Sequence, residues 1–282
     1  MNKNIEEKLR NIPEIKQLED FEHDNLLFID PYRINEKDGE LAQRAKTKIL
    51  KYFDIFFEAI KEGDREKVLN IGEHLHEINA TRLGFTSKDT FPKGKGFSQK
   101  DLVKIYDAAR DVEDCITDMP DVFVLAENVG PDKVSDITTN IIYEELLEFT
   151  KNIIKKYKLD LECKLVKKYV YDVFEEKWIK KSINVPMIDG KEILFLPSNI
   201  VERYEIFSYE TFYRNLVYPF YKTNTAIHHL IRFLKNNEEK PDCKRIKEKY
   251  PLKRETVKEF KKKFQKEYEE YKEKVQKYYW MQ

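Results

Sequence analysis

The residues best placed to do chemistry lie in one unusual string, Asp132-Lys133-Val134-Ser135-Asp136-Ile137-Thr138-Thr139-Asn140. Small polar side chains crowd the start of a helix expected from about Ile137 to Tyr157. If that helix opens near Asp136, then Asp136, Asn140 and Glu144 recur every four residues and share one face. Free amide groups and the positive end of the helix dipole can hold an anion there, or the carboxylates can hold a metal. Asp132, Ser135, Asp136, Thr139, Asn140 and Glu144 are therefore candidate binding residues. A helix cap accounts for the same string without a ligand: Ser135 or Asp136 accepts a backbone N–H, and the threonines fill the first turn.

A second constellation is Glu162-Cys163-Lys164 inside an expected strand. An acidic residue followed by E-x-K on a strand is how restriction-type nucleases hold Mg²⁺ and steady developing charge with a lysine. Asp136, Glu162 and Lys164 are the residues of that alternative, catalytic reading, which alone requires a cofactor. The bland reading is a solvated strand face. Lys93-Gly94-Lys95-Gly96 lets backbone and two lysines approach phosphates, but the G-x-x-x-x-G-K-[ST] pattern of a nucleotide loop is missing. Lys93 and Lys95 are candidate binding residues, and through them nucleic acid is a possible partner. His74 and His76, an i,i+2 pair in an expected helix, point to different faces and make no i,i+4 metal pair, and His228-His229 are adjacent, so no metal site is expected. Asp30-Pro31 places a carboxylate after an apolar run, where it serves equally as a helix cap with proline at the first helical position. No Ser-His-Asp or Cys-His arrangement is supported.

The elements that must position these groups follow from apolar spacing. Leu41, Ala45, Ile49, Phe53, Phe56 and Ile60 mark a helix ended by Gly63, and Asp64 caps a second carrying Val68, Leu69, Leu75 and Ile78. Ser98 caps a helix with Leu102, Ile105 and Ala109, and Val122 to Ala126 reads as a short strand, as does Leu26 to Ile29. Leu159 to Phe174 is rich in Val, Tyr and Leu, and Asp189-Gly190 between two apolar runs signals a hairpin that includes Ile193 to Leu196. From Ser208 the chain is helical, with a bend near Pro219, and a last helix runs from about Lys253 to Trp280. The fold class is α+β: predominantly helical, with a small, mostly antiparallel central sheet and a long C-terminal helix. A main domain, 1–235, is followed by a helical segment, 236–282, that packs on the body or on a partner subunit.

Composition narrows the function classes. The chain of 282 residues carries 52 basic and 52 acidic side chains, so no global field draws it to nucleic acid or a membrane surface. Eighteen Phe and 17 Tyr argue against disorder, and eight glycines leave little room for a glycine-rich phosphate cradle. Cys115, Cys163 and Cys243 lie far apart, which predicts reduced thiols in a cytoplasmic protein. The charged start, Met1 to Asn11, predicts no signal peptide, and no apolar run approaches the roughly 18 residues of a membrane span.

Four segments in order carry a resemblance: Leu27-Phe28-Ile29-Asp30-Pro31, then Leu83-Gly84-Phe85-Thr86 with the glycine-lysine loop, then residues 128–150, and last Ile193-Leu194-Phe195-Leu196-Pro197-Ser198-Asn199-Ile200. The chain resembles an uncharacterised bacterial and phage family whose hallmark is G-x-x-x-D-x-[IV]-S-D-x-T-T-N-[IL]-I, and it matches that stretch from Asp132 onward. The loop after Phe85 has fewer glycines here than in the family pattern. The resemblance implies a bacterial or phage origin alongside mobile elements and defence genes, and it brings no activity, cofactor or catalytic residue. The leading expectation is a non-enzymatic accessory or binding protein of a phage defence or counter-defence system, acting through a protein partner or self-association. The alternative is the Mg²⁺-dependent nuclease above.

Overall fold

The apolar periods resolve into helices packed around a small amount of sheet, as an α+β chain requires. A computed structural model describes residues 3–19, 25–83, 98–110, 116–127, 129–203, 206–223 and 243–279. Lys93 and Lys95, with the rest of their loop, lie outside the described residues, as do Cys115, His228, His229 and the charged break at 236–240. Among the described residues no helix is long and apolar enough to cross a membrane.

The N-terminal half follows its start and stop signals. After α1 (Lys3–Arg10), β1 (Phe28–Ile29) leads into Asp30, whose side chain caps a short 3₁₀ turn at Pro31–Arg33. Next, α2 (Glu40–Glu62) ends at Gly63, which takes the left-handed conformation (φ 73°) and donates to the carbonyls of Ala59 and Ile60. Asp64 then caps α3 (Arg65–Ile71) through the Lys67 amide. That helix is shorter than its period suggests: the chain leaves it at Gly72, and Leu75 and Ile78 are buried from irregular backbone. Ser98 opens α4 (Gln99–Arg110), its amide and hydroxyl both donating to Asp101.

Val122 to Ala126 is not a strand. It belongs to α5 (Met119–Leu125), started by Asp118, whose carboxylate accepts the Asp121 amide. Every residue of α5 is buried. A helix apolar all round has the same short apolar run as a buried strand, and here the cap and Pro120 decide for the helix. Two further helices, α6 (Pro131–Ile141) and α7 (Tyr143–Tyr157), replace the single one expected from Ile137.

The antiparallel sheet is built on a long hairpin. Here β2 (Glu162–Asp172) pairs with β3 (Lys177–Ile188) in a register that sets Lys168 opposite Lys181 and Val170 opposite Ile179. The Asp189-Gly190 turn has both residues at positive φ, 48° and 72°, and returns only the two residues of β4 (Lys191–Glu192). Ile193 to Leu196 runs on buried: the Ile193 amide still donates to Pro186 of β3, but the Leu194 and Phe195 amides leave the sheet for the Ala80 carbonyl and the Thr150 hydroxyl. A second pair joins β1 to β5 (Val201–Glu202).

The C-terminal part is helical from Ser208. The first turn, α8 (Tyr209–Phe212), passes into a π-turn at Tyr213–Val217 and then helix over 218–223. Pro219 has no N–H to offer the carbonyl four residues back, and the widened turn absorbs that loss. After α9 (Cys243–Lys249), the expected single terminal helix is two, α10 (Arg254–Lys263) and α11 (Gln265–Tyr279), broken at Phe264 (φ −134°, ψ 53°). A straight helix of that length would carry its far end about 40 Å from its start. The break folds it back, so that Val257, Phe260 and Tyr268 are all fully buried in the same core as Tyr52, Phe56 and Phe212. A smaller cluster joins Leu9, Ile12 and Ile15 to Ile153, Leu159 and Phe195.

The folded-back helices are held by charge. Asp121, fully buried, accepts Lys261 Nζ at 2.6 Å, Thr117 Oγ1 at 2.7 Å and Tyr268 OH at 3.1 Å, with Lys272 Nζ at 3.5 Å. Lys272 also reaches Asp118 (2.7 Å) and Glu269 (2.6 Å). Burial pushes the Asp121 carboxyl up, and the Lys261 and Lys272 charges more than offset it, holding it below the usual range. Removing Asp121 takes the fully buried anion from between two buried ammonium groups and leaves them only the more exposed Asp118 and Glu269. Asp121→Asn is expected to cost about 3–5 kcal/mol in urea unfolding. A loss within 1 kcal/mol would show that the network adds nothing to the attachment of α10 and α11.

Candidate functional site

The polar string of α6 begins five residues earlier than the sequence suggested. Pro131 is the first helical residue, so Ser135, Asp136 and Asn140 stand inside the helix and not at its mouth. Proline suits that first position because its missing N–H would be unpaired there anyway. The amides expected to hold an anion at Asp136 are therefore within a helix, not at its open end.

The string is buried and spent on the fold. Ser135 Oγ accepts the Ile29 amide at 3.1 Å, tying α6 to β1. Asn140 Nδ2 donates to the His76 carbonyl at 2.6 Å and to the Asp136 carbonyl at 2.8 Å. Thr138 and Thr139 donate back to the carbonyls of Val134 and Ser135. All four side chains are at most 6% exposed, so an unpaired group would have been costly at each. Threonines bonding back one turn also bend helices, which fits the break at Ile142 (φ −102°, ψ 22°) just beyond them. Asp132 and Asp136 are half-buried, and burial raises the Asp132 carboxyl.

The break turns Glu144 onto a charged ladder outside. Glu144 accepts Lys181 at 2.8 Å and Lys48 at 3.4 Å; these lysines hold its carboxyl below the usual range although burial opposes them. Lys48 also pairs with Glu145 at 2.9 Å. Further along, Glu192 receives the Tyr143 hydroxyl and pairs with Lys168 at 2.7 Å. The ladder joins α2, α7 and the hairpin.

Glu162 and Lys164 alternate on one face of β2 and are both exposed. Of the β2 side chains, Lys168 meets the start of α7, over the Tyr143 ring at 4.6 Å, and Tyr169 stacks on His74, after α3, at 3.6 Å. Glu162 lies six residues from Lys168, about 20 Å of strand rise. Among the described residues no group of three His, Cys, Asp or Glu side chains could hold a metal ion. His74 packs between Tyr169 and Trp178, and burial lowers its pKa. The described cysteines, Cys163 and Cys243, are exposed free thiols.

The surface that stands out was legible only as a strand. β2 is an edge strand: among the described residues β3 is its only strand neighbour. Its residues 162–165, 167 and 169 are exposed. Leu165 is 65% exposed, Tyr169 40% and Phe174, in the turn, 78%. Lys164, Lys167 and Lys180 have no carboxylate partner among the described residues, whereas Lys168, Lys177 and Lys181 are paired. Which residues of a hairpin face solvent depends on register, and register follows from the turn at 173–176, which carries no strong turn signal.

Asp30, the other carboxylate at a strand end, is internal. Its oxygens accept the Tyr32 amide at 2.9 Å and the Ile206 amide at 2.7 Å, and it is 2% exposed. Burial raises its pKa from 3.8 to about 6 despite those bonds. A buried acid with a raised pKa binds its proton more tightly folded than unfolded. Its contribution therefore favours the fold at acid pH and is lost as pH rises from about 4 through about 6, to the extent of about 3 kcal/mol. Carboxyl NMR of the folded chain is expected to show Asp30 titrating near pH 6; a midpoint near 4 would contradict the assignment.

The comparisons with known proteins stop at the family. No curated protein and no solved structure matches the chain. Residues 8–208 match a family described as a domain of unknown function, DUF8370. That span includes α6, the hairpin and the 193–200 segment, and the chain belongs to this family.

Proposed function

We propose that this protein is a binding module whose contact surface is the outer edge of β2 and the outward face of the β2–β3 hairpin. The observation that carries it is the exposure of Leu165 and Phe174, with the outer part of Tyr169 between them, its ring stacked on His74, all on one strand and its turn. A long edge strand with exposed apolar side chains invites another strand, and natural proteins usually blunt such edges. Lys164, Lys167 and Lys180, which have no carboxylate partner among the described residues, partly guard this one and also select its partner. An extended acidic segment of another protein, added as a fourth strand, satisfies the free backbone groups and the lysines together. A second copy of the chain would set lysines against lysines. The setting is the defence or counter-defence system that the resemblance implies.

The alternative, a Mg²⁺-dependent nuclease using Asp136, Glu162 and Lys164, draws on Glu162 and Lys164 sharing one face of β2. It requires plasmid cleavage with Mg²⁺ or Mn²⁺ that Glu162→Ala abolishes.

Capture of a stoichiometric partner from a host carrying the neighbouring genes is the test. Leu165→Glu and Lys167→Glu are exposed changes, expected to alter stability by less than about 0.5 kcal/mol while abolishing capture. Capture unchanged by both, or a partnerless monomer on sizing chromatography, would overturn the reading.

A further inference from the structure

A cavity of about 340 Å³ opens between the start of α2, the first turns of α7 and the 197–200 segment. It is within the size range of small-molecule sites, about 300–1,000 Å³. Two of the segments singled out in the sequence, 128–150 and 193–200, converge on it. Its walls are apolar, with Ile34, Ala45, Ile142 and Leu146 buried at the floor and Phe149 beside them. Its charged lining is all of one sign: Glu14, Asp38 and Glu145, with no lysine or arginine.

Glu145 is the decisive residue. It is 6% exposed, and its Oε1 pairs with Lys48 Nζ at 2.9 Å. Among the described residues its Oε2 is buried with no hydrogen-bond partner. Such an orphan oxygen is rare in folded proteins and calls for a donor. Lys48 Nζ lies against the other oxygen, Oε1, and reaches Glu144 at 3.4 Å on its far side. The other two carboxylates have partners of their own: Glu14 takes Lys156 and Tyr157, and Asp38 at the mouth takes Asn199 Nδ2 at 2.5 Å. A hard metal ion is not the answer, since it needs about six oxygens and among the described residues no three carboxylates come together to hold one.

We propose that this cavity binds a small organic cation, with an apolar body against Ile142, Leu146 and Phe149 and an ammonium or amidinium head donating to Glu145. The apolar walls supply contact area. The carboxylates reject acids and select a positive head over a neutral one. This site is independent of the hairpin surface and stands or falls separately from it.

The test uses the full chain and three aromatic probes of matched size, benzylamine, benzyl alcohol and benzoate, followed through the methyl signals of Ile142 and Leu146 by NMR. Benzylamine is expected to shift both signals saturably, benzyl alcohol to bind about ten- to a hundredfold more weakly, and benzoate not at all. Glu145→Gln, which keeps the shape, is expected to weaken benzylamine by the same factor. Ala42→Trp, which fills the mouth without touching Glu145, is expected to abolish its binding and keeps the proposal testable should Glu145→Gln fold poorly. No saturable methyl shift with benzylamine at millimolar concentration, or equal binding of benzylamine and benzyl alcohol, would overturn the proposal.

Discussion

The fold turns on how α6 hides its polar residues. A helix carrying Ser135, Thr138, Thr139 and Asn140 into the interior is stable only if each side chain finds a partner there, and each does. Two of those bonds leave the helix, one to the Ile29 amide and one to the His76 carbonyl. They fix α6 against β1 on one side and against the segment after α3 on the other. The position of α7, and hence of the ladder that seats the hairpin, follows from the break that comes just after the two threonines. The seam is thus both an internal scaffold and the reason Glu144 and Glu145 reach the charged layer between α2 and the sheet.

Inward commitment of those groups moves the search for function outward. Within the string that resembled a binding motif, Ser135, Thr138, Thr139 and Asn140 spend their hydrogen bonds inside the fold, and Asp30 has both oxygens occupied. What the fold leaves available is of two kinds. One is the exposed edge of β2, with apolar side chains and lysines that have no carboxylate partner among the described residues. The other is a cavity whose floor holds an unsatisfied carboxylate oxygen. Neither needs the catalytic geometry that the E-x-K spacing suggested.

Local rules were legible wherever one residue decides the backbone. Gly63, Asp64, Asp30-Pro31 and Asp189-Gly190 each act through a single φ angle or a single cap, and each sits where the spacing placed it. The misreadings arose where two structures share a pattern or where partners are far apart. An apolar run of five fits a buried strand and a helix buried all round, as in α5. A row of aromatics at steps of three and four fits one long helix and also two helices folded at Phe264. Asp121, Lys261 and Lys272 have no spacing to reveal them, because 140 and 151 residues separate the aspartate from its lysines. The edge character of β2 was hidden for a related reason. A strand's period shows which residues alternate, but not which face the rest of the chain covers.

Native-state hydrogen exchange resolved by residue tests this division between a closed interior and an open edge most directly. Amides of 134–142 and of Ile29 should exchange only with global unfolding, while alternate amides of 162–168, facing away from β3, exchange quickly. Exchange of the α6 amides through local opening, with protection along the outer edge of β2, would mean that the polar string is the accessible surface and the hairpin the scaffold.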